Sequence, residues 1–171
     1  MIYCIADTHF DDENIIKYES RPFTDVYDMN DSLIENINII VKENDILYII
    51  GDFGNANYAK DIIKRIICKN IYLIKGNHDI MHNDYYREIG FTEVYDKPII
   101  IEDFCILSHE PLYMNTHMPY INIYGHVHNN PNYADYSKCG MCVCVERTNY
   151  KPISLENIIH FIKGADTSCE F

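Results

Sequence analysis

The 171-residue chain has no tryptophan, few glycines and prolines (seven and six), and a shortage of positive charge: 14 Lys and Arg against 26 Asp and Glu, for a net charge of −12. The missing basic residues argue against a broad surface for duplex nucleic acid or an anionic bilayer. They do not exclude a phosphate substrate, because divalent cations held by carboxylates can bind an anion locally whatever the net charge. No apolar run approaches the roughly 18 residues of a spanning helix, and Met1 to Asp7 has no basic stretch before its first carboxylate. Neither a membrane span nor an ordinary secretory signal is expected. Fifteen tyrosines without tryptophan or interleaved basic residues do not make a base-stacking surface. No Pro, Gly or Ser-rich linker interrupts the chain, so residues 1–171 are read as one domain, with enough apolar residues (47%) to bury a core. The seven cysteines are odd in number and mostly inside apolar runs, which fits reduced thiols and a cytoplasmic setting. Cys139, Cys142 and Cys144 lack a second ligand pair at zinc-knot spacing.

Short apolar runs alternate with helical periodicity in the first two thirds. Strands are expected over Ile2 to Ala6, Asp45 to Ile50 and Asn70 to Ile74. Leu33, Ile34, Ile37, Ile40 and Val41 follow helical spacing, as do Ala59, Ile62, Ile63, Ile66 and Ile67. A short helix from Asn83 to Ile89 should stop at Gly90. Strands then crowd together: Pro98 to Ile101, Phe104 to Leu107, Ile121 to Tyr124 and Met141 to Glu146, with Glu102-Asp103 as a hairpin tip. A last helix is expected over Leu155 to Ile162, capped by Ser154 and ended by Gly164. The pattern predicts two packed sheets covered by helices.

Ligand-type side chains fall at the ends of five of these strands. Asp7 and His9 follow the first, Asp52 the second, Asn77 and His78 the third, His109 the strand ending at Leu107, and His126 and His128 the strand ending at Tyr124. Carboxyl ends of neighbouring strands converge on one crevice in open sheets. Imidazole, carboxylate and amide oxygen without thiolate suit Mn²⁺, Fe or Zn²⁺ better than calcium or a soft metal. Seven candidate ligands exceed the needs of one tetrahedral ion.

In order along the chain stand Asp7-Thr8-His9, Gly51-Asp52, Gly76-Asn77-His78-Asp79, His109 and Gly125-His126-Val127-His128. This ordered set resembles the calcineurin-like metallophosphoesterases, most nearly the small bacterial and phage members. Asn14-Ile15-Ile16 and Arg21-Pro22-Phe23 add to the likeness. The resemblance implies an α+β fold, a four-layer α/β/β/α sandwich with two mixed sheets. It also implies a metal-dependent phosphoric ester hydrolase with two divalent ions, Mn²⁺ first and Fe or Zn²⁺ as alternatives. One ion would be held by Asp7, His9, Asp52 and His128, and the other by Asp52, Asn77, His109 and His126. A small phosphomonoester or phosphodiester would be split by metal-bound hydroxide. His78 would be the catalytic histidine that stabilises the transition state or protonates the leaving oxygen, with Asp79 orienting its ring.

Two further residues are candidates for substrate contact. Arg21 is the best cation for a phosphate, with a structural ion pair as the competing role; His117 lies in the polar stretch before Ile121. His82 and His160 match no block and read as loop and helix residues. Asp12 stands where many relatives carry a histidine. The competing functions are a nuclease acting on single strands or ends and a non-catalytic scaffold of the same fold.

Overall fold

The computed structural model describes residues 1–115, 117–133 and 139–165. The first half runs β1 (Ile2–Ile5), α1 (Glu13–Tyr18), α2 (Val26–Ile40), β2 (Ile46–Ile50), α3 (Ala56–Arg65), β3 (Asn70–Ile74), α4 (Asn83–Ile89) and β4 (Glu93–Tyr95). The second runs β5 (Ile99–Ile101), β6 (Cys105–Ser108), β7 (Ile121–Tyr124), β8 (Gly140–Cys142), β9 (Ile153–Ser154) and α5 (Leu155–Ala165). None of these helices is long and apolar enough to cross a membrane.

The strands form two mixed sheets, in the orders β4-β3-β2-β1-β9 and β5-β6-β7-β8. In the first, β1 to β4 are parallel and β9 pairs antiparallel with β1. In the second, β6, β7 and β8 are parallel and β5 is antiparallel. This is the α+β architecture expected from the sequence. The period-two alternation of β1 to β3 divides the core. Tyr3, Ile5, Leu47, Ile49, Ile71 and Leu73 face α2, α3 and α4. Cys4, Ala6, Ile50 and Ile74 face the opposite way and pack on Cys105, Leu107, Ile121 and Ile123 of the second sheet. Helix α5 adds Leu155, Ile158 and Ile162 to that inter-sheet layer and lies mainly against β1, β8 and β9.

Local chemistry fixes the ends of the elements. Asp25 accepts hydrogen bonds from the N–H groups of Tyr27 and Asp28, so α2 begins well before the first apolar residue that marked it in the sequence. Glu102 and Asp103 have φ of 48° and 65°, the two left-handed residues of a tight β5–β6 hairpin. Ser154 accepts from Asn157 N–H at the start of α5, which runs through Gly164 instead of stopping before it. The expected Met141 to Glu146 strand is shorter than predicted. At Val143 the chain passes between the sheets: its N–H bonds Tyr124 O of β7, its carbonyl accepts from Ala6 N–H at the end of β1, and Val145 N–H bonds Ala6 O. That crossing delivers Glu146 to the end of β1.

Candidate metal centre

The parallel ladder of β1 and β2 continues past the strand ends as a linked pair of turns: Asp7 N–H to Gly51 O, His9 N–H to Asp52 O and Phe10 N–H to Phe53 O. Asp7, His9, Asp52, His126 and His128 all take left-handed φ, between 43° and 69°. They are five of the eleven non-glycine residues with positive φ among the described residues, and such concentration of costly backbone marks a constrained site. Glycines make room for it. A Cβ at Gly51 would collide with the His109 ring, one at Gly76 with the Asp52 carboxylate, and one at Gly125 with the Asp7 carboxylate.

The seven expected ligands converge in two groups that share Asp52. In the first, His128 Nε2 lies 3.6 Å from Asp7 Oδ1, and His9 Nε2 lies 3.6 Å from Asp52 Oδ2. In the second, Asn77 Oδ1 is 3.0 Å from both His109 Nε2 and His126 Nδ1, and those two nitrogens are 3.1 Å apart. His109 Nε2 is also 3.4 Å from Asp52 Oδ2, so one carboxylate oxygen faces both groups. The other Asp52 oxygen accepts from His78 N–H at 2.8 Å. His109 Nδ1 donates to the Ile50 carbonyl (3.2 Å), which turns Nε2 toward Asp52 and Asn77.

Two buried atoms here have no hydrogen-bond partner, Asp7 Oδ1 and His9 Nε2. Leaving such atoms unsatisfied costs about 1–3 kcal/mol each, and a cation would satisfy both. The donor chemistry agrees, since carboxylate, imidazole and amide oxygen make a hard to borderline set. Asp7, His9 and His128 offer atoms within 4.8 Å of one another, as do Asp7, Asp52 and His109. No comparable group of the clustered cysteines occurs among the described residues.

A family model, described as calcineurin-like phosphoesterase, matches residues 1–138. The chain belongs to that family. An uncharacterized protein of Methanocaldococcus jannaschii is 34% identical over 95% of this calcineurin-like chain and 91% of its own length. A protein of unknown function from Aquifex aeolicus has a crystal structure that superposes with a TM-score of 0.76 at 28% identity, covering 94% of this chain and 98% of the other. A nuclease of Pseudomonas putida shares the fold with a TM-score of 0.51 at 24% identity, over 74% of this chain and 61% of its own.

The electrostatics of this calcineurin-like site follow from burial among mixed charges. Burial pushes the Asp7 carboxyl up to about 6 against the pull of His128 and His109, and it holds the His9 imidazole down at about 4. At Asp52 burial is outweighed by the His109 hydrogen bond and charge, together with the His78 N–H, leaving its pKa at about 2. At His109 burial is outweighed by Asp52 and Asp7, which push it up to about 9.

Two residue roles expected from the sequence are corrected. Asp79 does not orient the His78 ring: its carboxylate accepts from the backbone N–H groups of Asp52 (2.7 Å), Gly76 (2.9 Å) and Phe53 (3.0 Å). It therefore ties the β2 turn to the β3 turn. Arg21 does not reach a substrate. Its side chain is fully buried, and its five N–H groups go to Glu146, the Asp7 and Thr8 carbonyls, and Met29 sulfur. His117 is exposed on the β6–β7 connection, and its backbone N–H bonds Asn115; it lines neither cavity beside the ligands. His82 caps α4, and His160 is exposed on α5. Sequence reasoning missed Cys144, whose thiol donates to Asp7 Oδ2 (3.1 Å), and Glu146, 3.1 Å from His128 Nδ1. Neither lies in a motif; both depend on the sheet crossing at residues 143–145.

Two cavities flank the ligands. One, of about 550 Å³, is lined by His9, His78, Asp11, Asp12, Glu13, Ile80 and others, with no Lys or Arg in its wall. The second, of about 370 Å³, includes Asn77, His109, Lys75 and Lys97. Lys75 is committed to the Met81 carbonyl, Asn83 and Asp96.

Proposed function

We propose that the chain is a dinuclear metal-dependent phosphoesterase that hydrolyses a small phosphomonoester or phosphodiester. The observation that carries this reading is the Asp52 carboxylate between two converging ligand groups, beside the unpartnered atoms of Asp7 and His9. Asp7, His9, Asp52 and His128 would hold one ion, and Asp52, Asn77, His109 and His126 the other. When bound, the ions would neutralise charge on the phosphoryl oxygens and acidify a water. Mn²⁺ is the first candidate, and Fe and Zn²⁺ are alternatives that the same donors accept.

The chain's own residues divide the remaining work. His78 is exposed and lines the larger cavity, its ring 5.2 Å from that of His9. From there it holds a proton for the leaving oxygen, a role worth about 10²–10⁴ in rate. The leaving group occupies that cavity, whose acidic wall favours a small ester over a polyanionic strand. The nuclease reading draws support from the fold shared with the Pseudomonas putida nuclease. Among the described residues, the buried thiols of Cys4, Cys68, Cys105, Cys142 and Cys144 form no disulfide, which fits a reducing cytoplasm.

Chromogenic phosphomonoesters and phosphodiesters, offered to chelator-stripped protein with and without Mn²⁺, test this function. Turnover should require Mn²⁺ and fall more than about 100-fold in Asp52→Asn, beyond the usual cost of losing an outer partner of a metal ligand. No metal-dependent turnover on any ester by a protein that binds two ions would favour the scaffold. A large preference for oligonucleotides would favour the nuclease.

A further inference from the structure

We infer that Glu146, held in place by Arg21, is a positioning residue that fixes which nitrogen of His128 faces the metal site. The inference rests on the metal reading above and adds a clamp outside its ligand set. Glu146 Oε1 accepts from Arg21 Nε (2.9 Å) and Nη2 (2.7 Å) and lies 3.1 Å from His128 Nδ1. A carboxylate paired with guanidinium is an acceptor only, so the hydrogen of the His128 ring sits on Nδ1. Its lone pair is then on Nε2, the nitrogen that faces Asp7 Oδ1.

The same guanidinium donates to the carbonyls of Asp7 (2.7 Å) and Thr8 (2.9 Å). One planar, fully buried fork thus joins the turn after β1 to the segment after β8, and through Glu146 to the turn after β7. Arg147 steadies that last turn by donating to the carbonyls of His128, Asn130 and Tyr133. Carboxylate partners of this kind fix a ligating imidazole and strengthen it as a donor.

A competing role for Glu146 is direct ligation of another cation. Donor atoms of Glu19, His128 and Glu146 lie within 4.8 Å of one another, and Glu146 Oε2 is buried without a partner. The Arg21 charge against the same carboxylate opposes a cation there and favours the clamp.

The test is calorimetric titration of chelator-stripped full-length protein with Mn²⁺, with melting temperatures alongside, for wild type, Glu146→Gln and the Arg21→Met/Glu146→Met double variant. Replacing a buried ion pair with apolar residues of similar size is often neutral for stability, so the double variant separates folding from positioning. Wild type should take up two ions. In both variants one binding step should weaken about 10–100-fold while the other is unchanged, even where melting matches wild type. Equal weakening of both steps, or wild-type binding by a stable double variant, would overturn the clamp. Three ions in wild type falling to two in Glu146→Gln would make Glu146 a ligand and overturn it as well. A wild type that binds no ion would overturn the metal reading and the clamp with it, a result distinct from the others.

Discussion

The two ligand groups share Asp52 but are built differently. Around Asp7, His9 and His128 nearly everything is enclosed: Asp7 and His9 are buried, Cys144 and the His126 N–H hold one Asp7 oxygen, and the Arg21–Glu146 pair braces the turns. Around Asn77, His109 and His126 the first and last side chains are exposed, and the Ile50 carbonyl is the backbone anchor of the one buried imidazole. An enclosed group with fixed donors loses little freedom when it binds a cation, whereas an open one must order exposed side chains first. Under the proposed dinuclear reading, the Asp7 side would hold its ion firmly and the Asn77 side, next to the cavity that carries Lys97, would exchange its ion more readily.

Three results would break or sharpen this contrast. The largest effect is expected for His78→Ala, which should slow turnover about 10²–10⁴-fold with both ions retained, as single-turnover rates and metal analysis would show. Loss of an ion in this variant would instead place His78 among the ligands. Next comes Arg21→Met alone, which strips the guanidinium from buried Glu146 and leaves it only the His128 ring, and should cost about 3–5 kcal/mol in denaturant unfolding. A cost below about 1 kcal/mol, the level of exposed ion pairs, would remove the claim that the Asp7 side is the braced one.

The smallest effect concerns pH. His109 has its pKa raised to about 9 in the folded chain by Asp52 and Asp7 against its burial. In metal-free protein its contribution to stability is fully present below the unfolded value near 6.5 and is lost as pH rises through about 9. Cations compete with that proton, so binding on the Asn77 side should tighten by up to about tenfold per pH unit between 6.5 and 9 and release protons. Titrations in weakly buffered solution would read both; affinity independent of pH over that range would place His109 outside the ligand set.

The sequence is most legible where one physical signal dominates. β3, β7 and α4 fall at their expected bounds, because each is a compact apolar run or a capped helix ended by glycine. β4 and β9 were not anticipated. Glu93–Tyr95 and Ile153–Ser154 are too short to show a period, and their pairing comes from the neighbours β3 and β1. The seven residues expected as ligands stood out through their order and strand-end positions, and their side chains converge in the structure. Asp79 was misread, and Arg21 takes the ion pair that competed with a phosphate contact, because sequence adjacency and charge do not say whether a side chain turns inward or toward open solvent. Glu146 was invisible for a related reason: its position depends on a chain segment that changes sheets.

That change of sheets also sets an order of events during synthesis. Asp7, His9, Asp52 and Asn77 all lie within β1, β2, β3 and the turns after them, so they are synthesised before any strand of the second sheet. His109, His126 and His128 arrive later on the second sheet, and the brace arrives last, with Glu146. A nascent chain that has passed Asn77 but not reached His109 therefore carries only a half-site: two carboxylates, one imidazole and one amide. The full donor set exists only once residues 143–145 bridge the two sheets, so under the proposed metal reading the choice of ion would fall to a chain that is almost complete.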